Sequence, residues 1–140
     1  TYSFENVEYG GHTICAQVWD NLNNVTQKCV ELWLDPCEVE IYDVIPYPNP
    51  FKDVVDITFA LAGEGISAYV VITVYTVDGK QIRQLSKSTT NPFDWITWDG
   101  KTEHGDDVGK GIYMYVLKAE ITSKTGKRWE KTYRGKIIRN

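Results

Sequence analysis

The most reactive side chains belong to three cysteines and two histidines: Cys15, Cys29, Cys37, His12 and His104. They form no CxxC and no paired Cys/His spacing, so a zinc site is not expected. A catalytic cysteine needs a neighbouring base, but His12 and Cys15 fall on opposite faces of an alternating strand. No cysteine lies near His104 in the sequence. We therefore interpret the thiols as structural, with one disulfide and one free thiol as an option outside the cytoplasm.

The loop from Asp99 to Gly111 is the second candidate for chemistry, because it holds four glycines, three aspartates and no large apolar side chain. Its oxygens could bind calcium, but the acids do not have the spacing of the twelve-residue helix-flanked calcium loop. A solvated turn is the favoured interpretation. We expect no metal ion and no other cofactor.

Exposed aromatic residues near the start of the chain suggest a third kind of site. Trp19 and Trp33 could form a platform for a sugar or a protein, although packing on a neighbouring segment is the simpler account. Asn24-Val25-Thr26 matches a glycosylation sequon, a motif short enough to occur by chance. A carbohydrate-binding or adhesin-type module, using Trp19, Trp33 or the 99–111 loop, is therefore the alternative function.

The composition is that of a soluble globular protein, with 42% apolar and 24% charged residues. The net charge of −4 argues against nucleic acid as a partner. The basic segment from Lys124 to Arg139 is interpreted as the solvated side of a final strand rather than as a surface for polyanions or lipopolysaccharide. No apolar run approaches the roughly 20 residues of a membrane helix. The chain starts at Thr1 without a signal peptide, which suggests a fragment of a longer protein.

Residues 1–36 are expected to be a trailing hairpin of an upstream β domain or a linker. His12–Asp20 and Val25–Leu34 alternate, with Val30, Leu32 and Leu34 as the predicted buried face. The register places Cys15 close to Cys29 on one face, so a cross-strand disulfide is conceivable. Two separate thiols are the preferred interpretation.

Residues 39–140 contain seven predicted strands, with turn signals between them and no helical periodicity. The strands before the central stretch are expected at Val39–Ile45, Asp53–Leu61, Ser67–Val77 and Gln81–Leu85, with the last at an edge and a loop over Ser86–Pro92. The final strand is expected at Arg128–Ile138. The pattern predicts an all-β fold, an immunoglobulin-like antiparallel sandwich.

The stretch from Phe93 to Leu117 is predicted to be the central hairpin, since it gives a strand, the polar loop and a second strand. Trp95, Tyr113 and Tyr115 are bulky residues suited to a pleated surface and are expected to fill the core.

Four motifs carry a resemblance to a known family: Tyr47-Pro48-Asn49-Pro50-Phe51, then VYTVDGKQIRQL, then WDGKTEHGDDVGKGIYMYVL, then the closing KIIR at 136–139. Together they resemble the C-terminal sorting domains of Bacteroidetes type IX secretion over roughly residues 41–140. The tryptophan-glycine-tyrosine pattern is also similar to the immunoglobulin-like domain of flagellar hook-cap proteins. In residues 10–24, GGHT and VWDNLNN resemble the segment before the sorting domain in gingipain-type sortases, which favours such a sortase as the parent over an ordinary cargo protein with a sorting domain.

The resemblance implies a non-catalytic domain that the type IX machinery recognises for outer-membrane translocation. Its partners would be translocon or sortase components, with lipopolysaccharide as a further candidate. It implies passage through the periplasm to the cell surface or the medium. The residues expected to take part in recognition are Tyr47, Pro48, Asn49, Pro50, Phe51, Lys136, Ile137, Ile138 and Arg139. No catalytic residue is implied, because the peptidase region of the sortases has no counterpart in this sequence.

Overall fold

The computed structural model describes residues 7–8, 10–34 and 39–140, and every regular element in these residues is a β-strand. Contacts divide the chain into two compact units, Thr1–Cys37 and Glu38–Asn140. The predicted boundary between residues 36 and 39 stays a prediction. Among the described residues, no helix has the length and apolarity to cross a membrane.

The first unit contains the predicted hairpin, with β1 at Gly10–Trp19 and β2 at Val25–Leu34. The carboxylate of Asp20 closes its turn by accepting the N–H groups of Leu22 at 2.9 Å and Asn24 at 2.8 Å. The hydrogen bond from the side chain of Asn24 is the largest of the causes that lower the pKa of Asp20. The alternation of the sequence thus predicted the positions of both strands correctly, with β1 beginning two residues earlier than expected.

Two expectations for this hairpin are wrong. Cys15 lies directly opposite Cys29, with Cα atoms 4.0 Å apart, and the two form a disulfide rather than separate thiols. The expected buried residues Val30, Leu32 and Leu34 are all exposed, because two strands cannot cover their own faces. Cys37 lies outside the described residues.

The second unit has the seven predicted strands in two antiparallel sheets. These are β3 (Glu40–Tyr47), β4 (Val55–Ala62), β5 (Ser67–Thr76), β6 (Gln81–Thr89), β7 (Phe93–Trp98), β8 (Gly111–Thr122) and β9 (Arg128–Arg139). One sheet has the order β3-β4-β7 and the other has the order β6-β5-β8-β9. The strand β6 lies at an edge, as predicted, but runs on through most of the expected loop over 86–92.

The two sheets share one core, as an immunoglobulin-like sandwich requires. Alternate residues of each strand point inward because the side-chain period of a strand is two. The three-stranded sheet contributes Ile41, Val55, Ile57, Phe59, Leu61, Ile96 and Trp98, and the four-stranded sheet contributes Ala68, Val70, Ile72, Val74, Tyr113, Tyr115, Leu117, Ala119, Ile121 and Ile137. Each fully buried aliphatic side chain stabilises the fold by about 1.5–3 kcal/mol.

The stretch from Phe93 to Leu117 is not a hairpin. The strand β7 pairs with β4, whereas β8 pairs with β5 and β9, so the loop between β7 and β8 passes from one sheet to the other. Trp95 is also misassigned, since it is 47% exposed on the outer face. Trp98, three residues later and therefore on the opposite face, fills the core.

The corner between β6 and β7 is fixed by a buried carboxylate. Asp94 accepts hydrogen bonds from Lys87 Nζ at 2.5 Å and from the Thr89 hydroxyl at 2.6 Å. Burial raises the pKa of Asp94, but the hydrogen bonds from Lys87, Thr89 and the Trp95 N–H outweigh burial and lower the pKa to about 2. This polar cluster joins the edge strands of the two sheets.

Candidate functional site

The two segments expected to take part in recognition lie side by side, although more than 80 residues separate them in the chain. The side chain of Asn49 accepts the Ile138 N–H at 2.8 Å and donates Nδ2 to the Lys136 carbonyl at 3.1 Å. The Phe51 N–H donates to the Ile138 carbonyl at 2.9 Å, and its carbonyl accepts the Asn140 N–H at 2.8 Å. Residues 49–51 therefore lie along the free edge of β9 near its C-terminal end, in the position that a neighbouring strand would take.

Phe51 anchors this contact in the core. It is 1% exposed, and its ring packs against Trp98 with centroids 5.4 Å apart. Trp98 in turn meets Tyr113 edge-to-face at 5.6 Å, a favoured aromatic geometry. The indole N–H of Trp98 donates to the Lys101 carbonyl at 2.9 Å, so its polar atom is satisfied. The aromatic stack links the motif at 47–51 to the loop that follows β7.

Arg139 connects all three motifs of the site. Its guanidinium lies over the Phe51 ring at 6.0 Å and donates to the carbonyls of Gly100, at 3.0 Å, and Val108. Its Nε donates to the Lys52 carbonyl at 3.3 Å. Only 15% of the side chain is exposed, and the planar fork of five donors suits several carbonyls at once. Asp107 completes the set with an ion pair at 3.3 Å.

The loop from 99 to 111 is therefore not a free solvated turn at its base. Val108 N–H donates to the Gly100 carbonyl at 2.9 Å, which closes the loop on itself. Gly100 has φ +67°, and a Cβ there would lie 3.2 Å from the Phe51 ring and from Arg139. Both the positive φ and the close contacts favour glycine at this position. Beyond its base, the loop from 103 to 107 is exposed.

The recognition candidates thus fall into two groups. Phe51 and Ile137 are buried in the core, while Asn49 and Arg139 use their polar atoms inside the protein. Tyr47 is 71% exposed and Ile138 is 36% exposed, and Pro48, Pro50 and Lys136 are also exposed. An open depression of about 450 Å³ lies between the prolines, Phe51 and Asn140. Asn49 is exposed as well, although its amide is hydrogen-bonded within the protein, whereas Phe51 and Ile137 are closed to direct contact with another molecule.

The other candidate sites do not assemble. Cys15 is tied up in the disulfide and offers no nucleophile. Trp19 pairs with Val25 and Trp33 with Gly11, so the two indoles lie at opposite ends of the hairpin and form no common platform. Within residues 7–8, 10–34 and 39–140, no group of three or more Cys, His, Asp or Glu side chains could hold a metal ion.

Sequence reasoning missed the partners that hold the site together. The sequence predicts Tyr113 in the core, but it does not predict that Trp98 packs between Phe51 and Tyr113 or that Gly100 accepts a hydrogen bond from Arg139. Two features of the sequence could have indicated these contacts. Arg139 follows the apolar pair Ile137-Ile138, and the prolines at 48 and 50 interrupt the strand pattern.

Comparison with known families now assigns the class. Residues 46–129, more than half of the chain, match the model of the secretion system C-terminal sorting domain. The chain belongs to this family, which serves type IX secretion. The family gives the chain a role in secretion sorting. It consists of non-catalytic domains and implies export to the cell surface or beyond.

A solved structure shares the fold. The dimeric latent PorU of Porphyromonas gingivalis aligns with 95% of this chain at 24% identity and a TM-score of 0.58, and this chain spans 12% of that protein. FlgD of Xanthomonas campestris, from a structure concerned with hook capping, aligns with 72% of this chain and 65% of its own at 17% identity and a TM-score of 0.39. CopC of Methylosinus trichosporium OB3b aligns with 74% of this chain and 96% of its own at 18% identity and a TM-score of 0.39. A search of curated proteins finds no match.

Proposed function

We propose that a type IX translocon or sortase component recognises this domain at the surface where residues 47–51 meet residues 136–139. Tyr47, Pro48, Pro50, Lys136 and Ile138 supply the contact. Asn49, Phe51, Ile137 and Arg139 hold those residues in place. The domain itself carries no catalysis, and recognition needs no cofactor.

The observation that carries the proposal is the convergence of the first and last family motifs on one exposed surface. A receptor that touches this surface reads both ends of the domain at once, so it accepts only a folded sandwich. The outer edge of β9 at Lys136–Asn140 already has its hydrogen bonds with Asn49 and Phe51. Recognition at this end therefore uses side chains and loop contacts rather than an added strand.

The parent protein is proposed to be a gingipain-type sortase that crosses the periplasm before it reaches the surface. Support comes from the hairpin before the sandwich, whose GGHT and VWDNLNN segments resemble those proteins, and from the shared fold with PorU. Lipopolysaccharide remains a proposed partner of the exported parent.

The test is a fusion of residues 39–140 to a periplasmic reporter enzyme in a host with type IX secretion. The unchanged fusion should reach the surface or the medium. A variant with Tyr47→Ser, Lys136→Glu and Ile138→Ser should stay in the periplasm, because it changes only exposed residues of the site.

A matched control carries Tyr69→Ser, Val77→Ser and Lys118→Glu, which remove two exposed apolar side chains and one lysine on other parts of the sandwich. It should be exported normally. Export of the first variant at the control's level, with both proteins folded by circular dichroism, would contradict the recognition surface. Normal display of the full parent after deletion of residues 39–140 would contradict the sorting role itself.

A further inference from the structure

The outer face of the three-stranded sheet carries exposed aromatic side chains, of which the site above uses only Tyr47. Register puts nine residues in three rows across this sheet, and we call them the aromatic face: Tyr42, Ala60 and Phe93; Ile45, Thr58 and Trp95; Tyr47, Asp56 and Thr97. The large side chains lie on the two outer strands, and small residues lie on β4 between them. The result is a shallow trough about 10 Å wide, twice the spacing of neighbouring strands.

The large side chains of this face are open to solvent. Tyr42 is 42% exposed, Ile45 53%, Phe93 55% and Trp95 47%. An aromatic side chain has about 150–250 Å² to bury, so Tyr42, Phe93 and Trp95, together with Tyr47 at 71% exposed, leave on the order of 400 Å² open to solvent. A patch of this size on a single domain commonly has a function.

The polar groups inside the trough are already satisfied. The Thr97 hydroxyl donates to Asp56 Oδ1 at 2.5 Å, and the Thr58 hydroxyl donates to the Ile45 carbonyl at 2.9 Å. At the far side, Lys87 Nζ lies 5.3 Å from the Trp95 ring centre but is bound to Asp94 and the Trp95 carbonyl. A sugar needs directional hydrogen bonds alongside aromatic contact. This trough offers apolar contact with few free polar atoms.

The charge along the β3 side is negative, because Glu40 and Asp43 are exposed there. This border disfavours an anionic membrane and favours a cationic neighbour. The edge of β3 itself is unsuited to strand addition. A bulge between Tyr42 and Ile45 places Asp43 at φ +51°, and Pro46 has no N–H to donate. A partner must therefore lie on the face and not along the edge.

We propose that the aromatic face docks a protein segment that carries aromatic or aliphatic side chains bordered by lysine or arginine. The apolar side chains of the partner enter the trough over Thr58 and Ala60. Its basic residues meet Glu40 and Asp43. This docking shares only Tyr47 with the recognition surface at 47–51 and 136–139 and does not depend on recognition there.

The test uses the 140-residue chain as bait for a phage-displayed dodecapeptide library. Peptides that combine aromatic or aliphatic residues with lysine or arginine should be enriched. Their Kd should weaken at least about tenfold for Phe93→Ser/Trp95→Ser, as expected for central aromatic anchors. The matched control Tyr69→Ser/Ile112→Ser removes two similarly exposed side chains from the other sheet and should change Kd less than about twofold.

Two further variants separate docking from misfolding. Tyr42→Ser lies on the opposite side of the trough from the Asp94 cluster and should also weaken binding. Glu40→Gln/Asp43→Asn should weaken it about two- to fivefold at low salt and less at high salt. Equal binding by wild type and the Phe93→Ser/Trp95→Ser variant would overturn the proposal, as would failure to enrich any peptide.

Other occupants give different outcomes, each of which also overturns the proposal. Binding in place of the peptides would then be seen for one of three ligands: a glycan on an array, vesicles of phosphatidylethanolamine and phosphatidylglycerol, or a second copy of the chain, detected by sedimentation velocity. In each case the Phe93→Ser/Trp95→Ser variant would lose that binding, and the Tyr69→Ser/Ile112→Ser control would keep it.

Discussion

Asp94 is the residue whose ionisation state has the clearest structural consequence. Its folded pKa of about 2 lies below the ordinary value of 3.8, so the unfolded chain binds the proton more readily. The stabilisation is fully present above pH 4 and is lost as the pH falls towards 2. Because the carboxylate joins β6 to β7, its protonation loosens the corner between the two sheets.

We predict that Asp94→Asn reduces the pH dependence of the free energy of unfolding between pH 4 and pH 2 by about 1–2 kcal/mol. Urea unfolding at a series of pH values measures this difference. The matched variant Asp53→Asn changes an exposed carboxylate and should keep the wild-type slope. Identical slopes for wild type and Asp94→Asn would contradict the role given to this residue.

Arg139 is the second residue on which several elements depend, since three backbone carbonyls and Asp107 converge on it. Arg139→Ala leaves some of those carbonyls without a donor and should cost about 2–4 kcal/mol. Arg139→Lys keeps the charge but loses the fork and should cost about 1–2 kcal/mol.

Hydrogen exchange at the Val108 N–H reports whether the base of the loop opens in these variants. Exchange should accelerate in Arg139→Ala. The exposed Arg134 on the same strand provides the control, and Arg134→Ala should change stability by less than about 0.5 kcal/mol. Unchanged exchange at Val108 would show that the loop is held by other contacts.

At the scale of elements, β8 and β9 pack closely because Gly135 on β9 has no side chain. Tyr115 lies opposite Gly135, and a Cβ at Gly135 would be 2.5 Å from the tyrosine ring. Burial raises the pKa of Tyr115, in keeping with a ring enclosed by the core and the glycine. The pairing therefore fixes both the register of β9 and the position of Ile137.

We predict that Gly135→Ala destabilises the fold by about 1–3 kcal/mol through overpacking. The cost should fall in a Tyr115→Leu background, where the ring is gone, as a double-mutant cycle by denaturant unfolding will measure. Gly109→Ala is the control, because open space surrounds that position. Equal cost in both backgrounds would exclude the ring as the cause.

The sequence predicted the positions of the strands better than it predicted which strands pair. Alternation over Val55–Leu61 identified an inward face because Val55, Ile57, Phe59 and Leu61 alternate with smaller or polar residues. In Phe93–Trp98 the inward face contains Asp94, and the outward face contains Phe93 and Trp95, so hydropathy pointed to the wrong side. Pairing of β7 with β4 was not visible either, because a polar loop of this length suits both a hairpin and a crossing between sheets.

For the candidate site, the motifs indicated which residues belong to it, but not which of them are buried and which are exposed. Nothing in YPNPF distinguishes the buried Phe51 from the exposed Tyr47 without knowledge of Trp98. The disulfide was also underdetermined, since register brought Cys15 and Cys29 together and redox state decided the rest.

For the whole molecule, the sandwich presents two separate surfaces on one rigid core. One is assembled from distant segments at the end of β9, and the other is the aromatic face of the three-stranded sheet. They share only Tyr47, so substitutions at Phe93 and Trp95 can be studied without disturbing Lys136 or Ile138. The hairpin of the first unit adds its own disulfide-linked element.

The hydrogen bonds between residues 49–52 and 136–140 have a kinetic consequence. They join positions 87–89 residues apart, and contacts of such sequence separation slow folding because a long loop must close first. The local pair β5–β6 can form early, whereas the sandwich closes only when β9 arrives. We expect a chain cut short before residue 128 to stay open, because Tyr115 then lacks its neighbour Gly135, and to be cut faster by proteases. Completion of the fold thus acts as a check that the whole domain has been made.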